Sequence, residues 1–331
     1  MKIAMVGCGA LGSWYGARLA RAGREVHFLM RGDLAAVRER GLRIESPEGD
    51  FTLRPPIHED PESIGVADLV CIALKTTAND RCAQLVAPLV GPNTRLLCLQ
   101  NGLGNCERMA ATFNPAQILA GLCFVCINRT APGVVRHIAY GKIVLGEFAA
   151  PPSGRTRDIA GLFEDAGVPC VVTANLPRAL WEKLVWNIPF NGLGVAAAAG
   201  WQAFDDGTIP TSHAVGEPWP TDRLLADARW LRATRELMAE VIASAQAKGL
   251  GMEADLAERM IANTHRMGPY RASSLIDFER AQPMELEAMF LEPLRQARAA
   301  GVPTPRLAAL CAVLAQLEGR RLARNAGGSL C

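Results

Sequence analysis

The spacing of hydrophobic and polar residues changes near the middle of the chain. In the first half, short apolar runs alternate with amphipathic stretches, which predicts β-α-β units around a mostly parallel sheet. The predicted strands are Lys2 to Val6, Glu25 to Leu29, Asp68 to Leu74, Thr94 to Leu99, Ile118 to Val125 and Pro169 to Val172. The alternation from Val134 to Glu147 predicts a hairpin pair added to this sheet.

From about Leu176 onward, apolar residues recur at helical spacing. The predicted helices are Pro177 to Val185, Leu224 to Lys248, Met252 to Thr264, Ser273 to Ala281, Met284 to Ala300 and Arg306 to Leu322. We therefore expect an α/β domain over residues 1–175 and an all-α domain over residues 176–331. The Pro- and Gly-rich stretch at about 201–223 is too long for an ordinary helix connection, and is either a surface insertion or a flap over the active site.

Composition narrows the class of protein. The chain has 331 residues, half of them hydrophobic and 21% charged, which is typical of a soluble protein with a large core. A net charge of +2 argues against a nucleic-acid surface and against a polybasic membrane patch. Neither a signal peptide nor an apolar stretch of the roughly 20 residues that span a bilayer is recognisable, so the cytoplasm is the expected location.

The ten cysteines mostly lie in apolar runs, where free cysteine acts as a small hydrophobic residue. Cys123 and Cys126 have the spacing of a metal-binding pair, but they lie in a β-type run that would point them to opposite faces. Because no second Cys pair or His lies at metal-ligand spacing, we expect no metal.

A glycine-rich loop follows the first strand and opens the first helix. Gly7-Cys8-Gly9-Ala10-Leu11-Gly12 can form a tight turn that lets backbone amides approach a pyrophosphate at the helix N-terminus. This context predicts that the six residues bind a dinucleotide; the alternative is a turn used only for packing. An NAD enzyme usually ends its second strand with an acid. Here Met30 fills that position and Arg31 follows, which favours the 2′-phosphate of NADP, while Asp33 is expected to cap the next helix.

Two further polar groups follow predicted strands. Lys75 comes after the third strand, and Gln100-Asn101-Gly102-Leu103-Gly104 comes after the fourth. In open parallel sheets, ligands bind at the carboxyl ends of the strands, so Lys75 and Asn101 are expected to lie beside the glycine loop. Taken singly, Lys75 could be a solvated surface lysine and Asn101-Gly102 an ordinary turn.

The segment from Trp181 to Asn191 carries a polar stripe on an apolar helix. Lys183, Asn187 and Asn191 recur at i, i+4 and i+8, so a helix places them on one face. Burying an amine and two carboxamides is costly unless they bind each other or a ligand. Lys183 is therefore a candidate proton donor, the alternative being a lysine that extends from a helix edge to water.

Taken together, the motifs resemble the ketopantoate reductases (2-dehydropantoate 2-reductases). The matching pieces, in order, are Gly7 to Gly12, Arg31, Leu74-Lys75, Gln100 to Gly104, Lys183-x3-Asn187-x3-Asn191, Ser273-x3-Asp277, Glu285, and Ala300 to Pro305. The resemblance implies a Rossmann-type domain joined to an all-α domain of the 6-phosphogluconate dehydrogenase type, with the active site in the cleft between them. It also implies NADPH-dependent reduction of ketopantoate to pantoate, for pantothenate and coenzyme A synthesis.

The resemblance also implies roles for single residues. Lys183 would be the general acid, and Asn101 and Lys75 would lie at the nicotinamide end, close to the substrate. Glu285 would be the second catalytic residue, a partner of the substrate hydroxyl and of Lys183. Asn187 and Asn191 would bind substrate, and Ser273 would bind its carboxylate. From the residues alone, Glu285 after Pro283 could simply favour a helix N-terminus, and Ser273 could be an N-cap.

Some features depart from the family pattern. Arg271 stands in a neighbourhood where an asparagine is usual, and it could bind the substrate carboxylate instead. Pro189 is expected to interrupt the Lys183 helix before Asn191. Two alternatives stay open: a reductase of another branched 2-oxo acid, and an NADPH-sensing regulator, which would need none of the stripe residues. The sequence is silent on oligomeric state, which leaves a homodimer open.

Overall fold

The computed structural model describes residues 1–327, in two compact units that divide at Ala179 and Leu180. The sequence pattern predicts the boundary at residues 175 and 176. The predicted second domain ends at residue 331, and its last residues, 328–331, lie outside the described part of the chain.

The first unit contains a ten-stranded sheet and five α-helices. The strands are β1 (Lys2–Val6), β2 (Glu25–Leu29), β3 (Leu42–Glu45), β4 (Phe51–Leu53), β5 (Ile57–His58), β6 (Leu69–Ile72), β7 (Arg95–Cys98), β8 (Ile118–Ala131), β9 (Val134–Glu147) and β10 (Cys170–Val172). The helices are α1 (Ala10–Arg21), α2 (Leu34–Arg40), α3 (Asn79–Val86), α4 (Asn105–Ala110) and α5 (Gly154–Asp165).

Strand order brings four loops to one edge of the sheet. Strands β5, β2, β1, β6, β7 and β8 are neighbours in that order and run parallel. Val6 pairs with both Leu29 and Ile72, and Ile72 pairs with Cys98. The segments that leave β1, β2, β6 and β7 therefore start from one row of the sheet, at its carboxyl edge.

The predicted hairpin pair within Val134 to Glu147 is wrong. These residues form the single strand β9, which pairs antiparallel with β8 and also contacts β3 and β10 on its other side. Phe124 pairs with Lys142 and Val125 with Tyr140, so Gly141 is an extra residue in β9. This β-bulge breaks the alternation of apolar residues, and one strand therefore looks like two in the sequence.

Helix α1 is packed tightly against the sheet. A Cβ added to Gly16 would lie 2.6 Å from the ring of Phe28 on β2, so the helix approaches the strand closely. Tyr15 is fully buried and its hydroxyl donates to the carbonyl of Gly141 at 3.1 Å. These contacts hold the N-terminus of α1 at the carboxyl edge of the sheet.

The second unit is helical. Helix α6 (Leu176–Ala196) enters it from the first unit and is followed by α7 (Trp201–Asp206), α8 (Thr221–Ala226), α9 (Ala228–Ala247), α10 (Leu256–His265), α11 (Ser273–Glu279), α12 (Glu292–Ala299) and α13 (Pro305–Gly327). A π-helical turn, Glu287–Leu291, leads directly into α12. The predicted fold class, an α/β domain followed by an all-α domain, is confirmed. Among the helices of residues 1–327, none is long and apolar enough to cross a membrane.

Two helix predictions need correction. The single helix predicted from Leu224 to Lys248 is two helices, because Asp227 is extended and its carboxylate caps α9 by accepting from the amides of Arg229 and Trp230. Pro189 does not interrupt α6, which continues to Ala196. The proline lacks an N–H for the carbonyl of Val185, but apolar packing on nearly every side keeps the helix whole.

The proposed insertion at 201–223 is only partly irregular. Its first residues form α7, where Phe204 is fully buried and stacks on Trp230 with ring centroids 5.4 Å apart. Its last residues begin α8. The non-helical part is thus 207–220, and the helical ends belong to the core of the second unit.

Candidate functional site

The glycines of the first loop have different structural roles. Gly7 has a φ of +94°, and an added Cβ would lie 2.3 Å from the amide nitrogen of Leu74. A Cβ on Gly12 would lie 2.3 Å from the carbonyl oxygen of Gly7. Packing therefore requires both glycines. A Cβ on Gly9, in contrast, would meet no atom within 4 Å, so Gly9 borders open space and packing does not explain it.

This open space lies at the start of α1. Gly9 is the N-cap residue and has no side chain to bind the first-turn amides, which lack intrahelical partners in any α-helix. The exposed amides and the positive end of the helix dipole suit a phosphate. The neighbouring Cys8 contributes no charge, because burial raises the pKa of its thiol, which donates to the carbonyl of Met5 at 3.3 Å.

Arg31 and Asp33 follow β2 and have separate surroundings. Arg31 is exposed, whereas the preceding Met30 is buried. Asp33 occupies the N-cap position of α2, as expected, but its side chain does not cap the helix. Its carboxylate instead accepts from Arg129 at 2.5 Å and from the backbone amide of Gly133 at 3.1 Å. Asp33 is therefore committed to the turn between β8 and β9.

Side-chain amides connect the loops that carry Lys75 and Asn101. The Gln100 amide donates to the carbonyl of Leu74 at 2.9 Å and to Asn79 Oδ1 at 2.8 Å. Asn79 donates to Asn105 Oδ1 at 3.0 Å, and Asn105 donates to the carbonyl of Asn101 at 3.0 Å. This relay runs from the residue before Lys75 to Asn101 itself. It joins the loops after β6 and β7 into one structure.

Sequence reasoning missed Asn79 and Asn105. A signal was present, because each asparagine lies four residues after a predicted site residue, Lys75 or Asn101. The i+4 spacing has meaning only once the segment is known to turn into a helix. Both segments do so here, at the starts of α3 and α4.

In the second unit, α6 carries the polar stripe without a break. Lys183 is half-buried, and Asn187 and Asn191 are 6% and 3% exposed. The Asn187 amide has no side-chain hydrogen bond within residues 1–327. Its amide atoms are not fully enclosed, so Asn187 can bind a polar ligand.

Asn191 joins α6 to the start of α11. Its Oδ1 accepts from the Ser273 hydroxyl at 2.9 Å and from the Ser274 amide at 3.1 Å. Ser273 is the first helical residue of α11 and Ala272 is its N-cap, so the alternative that Ser273 caps this helix is wrong. The structure thus brings two of the predicted substrate residues, Asn191 and Ser273, into direct contact.

Arg271 lies on the loop just before α11. It is exposed and pairs with the carboxylate of Glu279, the last residue of α11. Both side chains line a cavity of about 760 Å³, whose other lining residues are Glu217, Pro218, Pro220, Asp222, Arg223 and Ala226. Arg271 is therefore charge-paired, and an anionic ligand would compete with Glu279 for it.

Glu285 immediately precedes the helical run that contains the π-turn. Its carbonyl accepts from the amide of Met289 at 3.2 Å, which places Glu285 at the N-terminal end of that run, and the residue is buried. A carboxylate is favoured in this position by the helix dipole. π-helical turns are also frequent at functional sites.

The predicted site residues form two sets, one in each unit. The glycine loop, Arg31, Lys75 and Asn101 follow strands that end at one sheet edge of the first unit. Lys183, Asn187 and Asn191 share α6 in the second unit, and Ser273 is bonded to them through Asn191. Within residues 1–327, no group of three or more His, Cys, Asp or Glu side chains is arranged to hold a metal ion.

Comparison with known proteins gives consistent matches. The sequence profile described as "Ketopantoate reductase PanE/ApbA" matches residues 3–150, and that of the "Ketopantoate reductase PanE/ApbA C terminal" matches residues 210–318. The chain is 37% identical over 326 residues to a 2-dehydropantoate 2-reductase of Nostoc sp., with 96% of each chain covered.

Solved structures agree. The crystal structure of 2-dehydropantoate 2-reductase from Geobacter metallireducens superposes with a TM-score of 0.87 at 42% identity, covering 96% of this chain and 99% of that one. A ternary structure of D-mandelate dehydrogenase with NADH and anilino(oxo)acetate has a TM-score of 0.84 over 97% of this chain and 99% of that one. At 19% identity, the second match indicates a shared fold alone.

Proposed function

Since the chain belongs to the ketopantoate reductase family, we propose that it reduces 2-dehydropantoate to pantoate with NADPH, and that Lys183 supplies the proton. The observation that carries this proposal is the buried polar stripe of α6, which ends in the contact between Asn191 and Ser273. A stripe of this kind lowers stability unless its groups bind protein groups or a ligand; Asn191 binds Ser273 and Ser274, and Asn187 is available to a ligand. 2-Dehydropantoate carries a ketone, a hydroxyl and a carboxylate, so it offers a binding partner to each polar group of the stripe.

The chemistry requires a proton donor at the ketone oxygen. The bound nicotinamide supplies the hydride that the carbonyl carbon receives. Negative charge then builds on the oxygen, and an ammonium group beside it stabilises the transition state more than the ground state. Lys183 is half-buried on α6, where such an electrostatic interaction is stronger than in water.

The remaining groups of the second unit orient the substrate. Asn187 offers an amide without a partner among the described residues, and Asn191 holds the hydroxyl of Ser273 by accepting its hydrogen bond. We assign the substrate carboxylate to Ser273, whose one O–H then donates to the carboxylate in place of Asn191, with Arg271 as the alternative ligand if the substrate displaces Glu279. Glu285 is assigned to the substrate hydroxyl.

The first unit is assigned to the cofactor. A Cβ on Gly9 would meet no atom within 4 Å, so the loop leaves room there for the proposed pyrophosphate. Arg31 is exposed after β2, where the 2′-phosphate of NADPH would need a cation. Lys75 and Asn101 are assigned to the nicotinamide end, and the relay of Gln100, Asn79 and Asn105 holds their loops.

A second candidate is an NADPH-dependent reductase of another branched 2-oxo acid. It is favoured by the cavity of about 760 Å³ beside Arg271, which offers room near the proposed carboxylate end. Arg223 also lies there, 4.0 Å over the ring of Trp219. The third hypothesis is a regulator that senses NADPH without turnover. Such a protein would not need the polar stripe of α6.

The test is NADPH oxidation followed with 2-dehydropantoate and with a panel of other linear, branched and aromatic 2-oxo acids. We expect the highest kcat/KM with 2-dehydropantoate and formation of one pantoate for each NADPH consumed. An equal or higher kcat/KM with another acid would select the second candidate, and absence of turnover with every acid would select the regulator.

A further inference from the structure

The segment 216–221 is bound to the same helix as the polar stripe. The amide of Gly216 donates to the carbonyl of Ala198 at 2.7 Å, and the amide of Trp219 donates to the carbonyl of Gly194, on α6, at 2.9 Å. A Cβ on Gly194 would lie 2.7 Å from the Trp219 carbonyl oxygen, so the two backbones approach closely. The segment is thus an ordered part of the second unit.

Thr221, at the end of this segment, bonds the loop 268–272. Its amide donates to the carbonyl of Tyr270 at 3.0 Å. Its hydroxyl accepts from the amide of Tyr270 at 3.1 Å and donates to the carbonyl of Gly268 at 2.9 Å. Thr221 is only 1% exposed. The Tyr270 amide also donates to the Gly268 carbonyl at 2.8 Å, so the Thr221 hydroxyl holds both groups of one tight turn.

The far end of this loop is held by α6. Asn191 accepts from Ser273 and Ser274, directly after the loop. Thr221 and Asn191 therefore anchor the two ends of the loop. Arg271 lies between these anchors, and Ser273 lies at the second one. Both anchors are connected to α6. Thr221 is connected through the bond between Trp219 and Gly194, and Asn191 is a residue of the helix.

We propose that Thr221 is a positioning residue for binding of the substrate carboxylate: its hydroxyl sets where the loop presents Arg271 and Ser273. This inference rests on the proposed function, since it takes those two side chains as the carboxylate ligands. Thr221 itself touches backbone only and does not bind the substrate. Loss of its hydroxyl removes two of the three hydrogen bonds from Thr221 to the loop, so the turn from Gly268 to Tyr270, which keeps its own 2.8 Å bond, can shift.

The kinetic test compares Thr221→Val, which removes the hydroxyl at equal volume, with Thr221→Ser, which keeps it. Thr234→Val is the matched control, because Thr234 is fully buried on α9 and its hydroxyl bonds only within that helix, to the carbonyl of Trp230. We expect Thr221→Val to raise KM for the 2-oxo acid about tenfold with little change in kcat or NADPH binding. Thr221→Ser and Thr234→Val stay within about twofold of the unmodified protein.

Competitive inhibition separates positioning from general loosening. Thr221→Val should weaken inhibition by pantoate about tenfold and leave inhibition by its carboxamide unchanged, since only pantoate carries the carboxylate. Equal weakening with both inhibitors, or no weakening with either, would overturn the inference. If Thr221→Val does not fold, Thr221→Ala removes the same hydroxyl and carries the same expectations.

Hydrogen exchange of the ligand-free protein tests the structural step without relying on turnover. Backbone amides of residues 268–274 should exchange faster in Thr221→Val than in Thr221→Ser or Thr234→Val. Unchanged exchange in this loop would overturn the inference whatever the enzyme reduces. Absence of turnover in the unmodified protein, with the loop still loosened by Thr221→Val, would contradict the proposed function and remove the carboxylate role of Thr221 with it.

Discussion

At the residue scale, Gly9 and Gly12 differ in the room that the loop leaves for a side chain, and only Gly9 is proposed to face the ligand. Gly12 has no room for a side chain, because a Cβ would lie 2.3 Å from the Gly7 carbonyl oxygen. Gly9 has room and a backbone conformation, φ −74° and ψ −154°, that alanine also adopts. The two glycines therefore predict different consequences for the same substitution.

Gly9→Ala should leave the free energy of unfolding within about 0.5 kcal/mol of the unmodified value, but raise the NADPH dissociation constant at least about tenfold, because the methyl group enters the proposed pyrophosphate space. Gly12→Ala should lower stability by about 2 kcal/mol by overpacking. Urea unfolding and fluorescence titration with NADPH measure both quantities. Unchanged NADPH affinity in Gly9→Ala would return the loop to a packing role.

Arg31 gives the residue-scale test of cofactor choice. Arg31→Ala should weaken NADPH binding by about 1.5 to 3 kcal/mol, the range for hydrogen bonds to charged groups, and leave NADH binding nearly unchanged. Arg38→Ala, another arginine of the first unit placed in the last turn of α2, is the control and should affect neither. Parallel losses for NADPH and NADH in Arg31→Ala would remove the 2′-phosphate assignment.

At the element scale, α5 is held to β9 by a buried carboxylate. Glu147 accepts from Arg155 Nε at 2.9 Å and from Thr156, and its side chain is 1% exposed. Burial by itself raises the pKa of Glu147, but the hydrogen bonds from Arg155, Thr156 and Ser153 outweigh it, so the pKa lies below the ordinary value of 4.5. The first turn of α5 is thus fixed by an acid from a strand.

Glu147→Gln should lower the free energy of unfolding at pH 7 by about 3 kcal/mol, since it leaves Arg155 without its charge partner. A carboxylate with a lowered pKa stabilises the fold above its unfolded-state pKa and loses this effect as the pH falls through its folded-state pKa. The difference between the variant and the unmodified protein should therefore shrink below about pH 4.5. Urea unfolding of both proteins across pH 3.5 to 8 measures this difference in the free energy of unfolding.

An exposed pair provides the control for this prediction. Glu258 bonds Arg235 at 2.7 Å, but both side chains are largely in water, so Glu258→Gln should cost less than about 1 kcal/mol. A difference for Glu147→Gln that stays constant down to pH 3.5 would mean that its cost is steric and has no electrostatic origin.

The elements also show which helices and strands can be predicted from local sequence patterns and which cannot. Strands β1 and β2 and the helical second half follow from local patterns, and the structure has them. The continuity of α6 through Pro189 does not, because it depends on apolar packing from other helices. Likewise, Phe204 of α7 is stabilised by Trp230, a distant residue, so residues 201–206 gave no helical signal strong enough to outweigh the polar stretch after them.

The same limit applies to the candidate site. Lys183, Asn187 and Asn191 could be predicted because a helix repeats every 3.6 residues. The i+4 spacing of Asn79 and Asn105 is a signal, but their roles and that of Thr221 could not be predicted from it, since each residue also makes a hydrogen bond to a group more than 20 residues away. Local spacing reveals groups on one element, and tertiary contacts reveal what holds that element.

At the scale of the whole molecule, binding and stability are linked. A ligand that binds only the folded chain at a concentration of 100 times its dissociation constant raises the free energy of unfolding by about 2.7 kcal/mol. NADPH should do so in the unmodified protein and in Lys183→Ala, but much less in Gly9→Ala at the same concentration. Thermal unfolding with and without NADPH measures the shift. Equal stabilisation of all three proteins would remove the glycine loop from the NADPH site.

The most direct test of the account is single-turnover reduction of 2-dehydropantoate by Lys183→Ala, saturated with NADPH, beside the unmodified protein and Lys248→Ala. Lys248 is an exposed lysine at the end of α9 and serves as the control. We predict a loss of at least about a hundredfold in the hydride-transfer rate for Lys183→Ala alone, with NADPH affinity within about twofold of the unmodified value. A hydride-transfer rate that survives, or an equal loss of NADPH affinity, would contradict the assignment of Lys183 as proton donor.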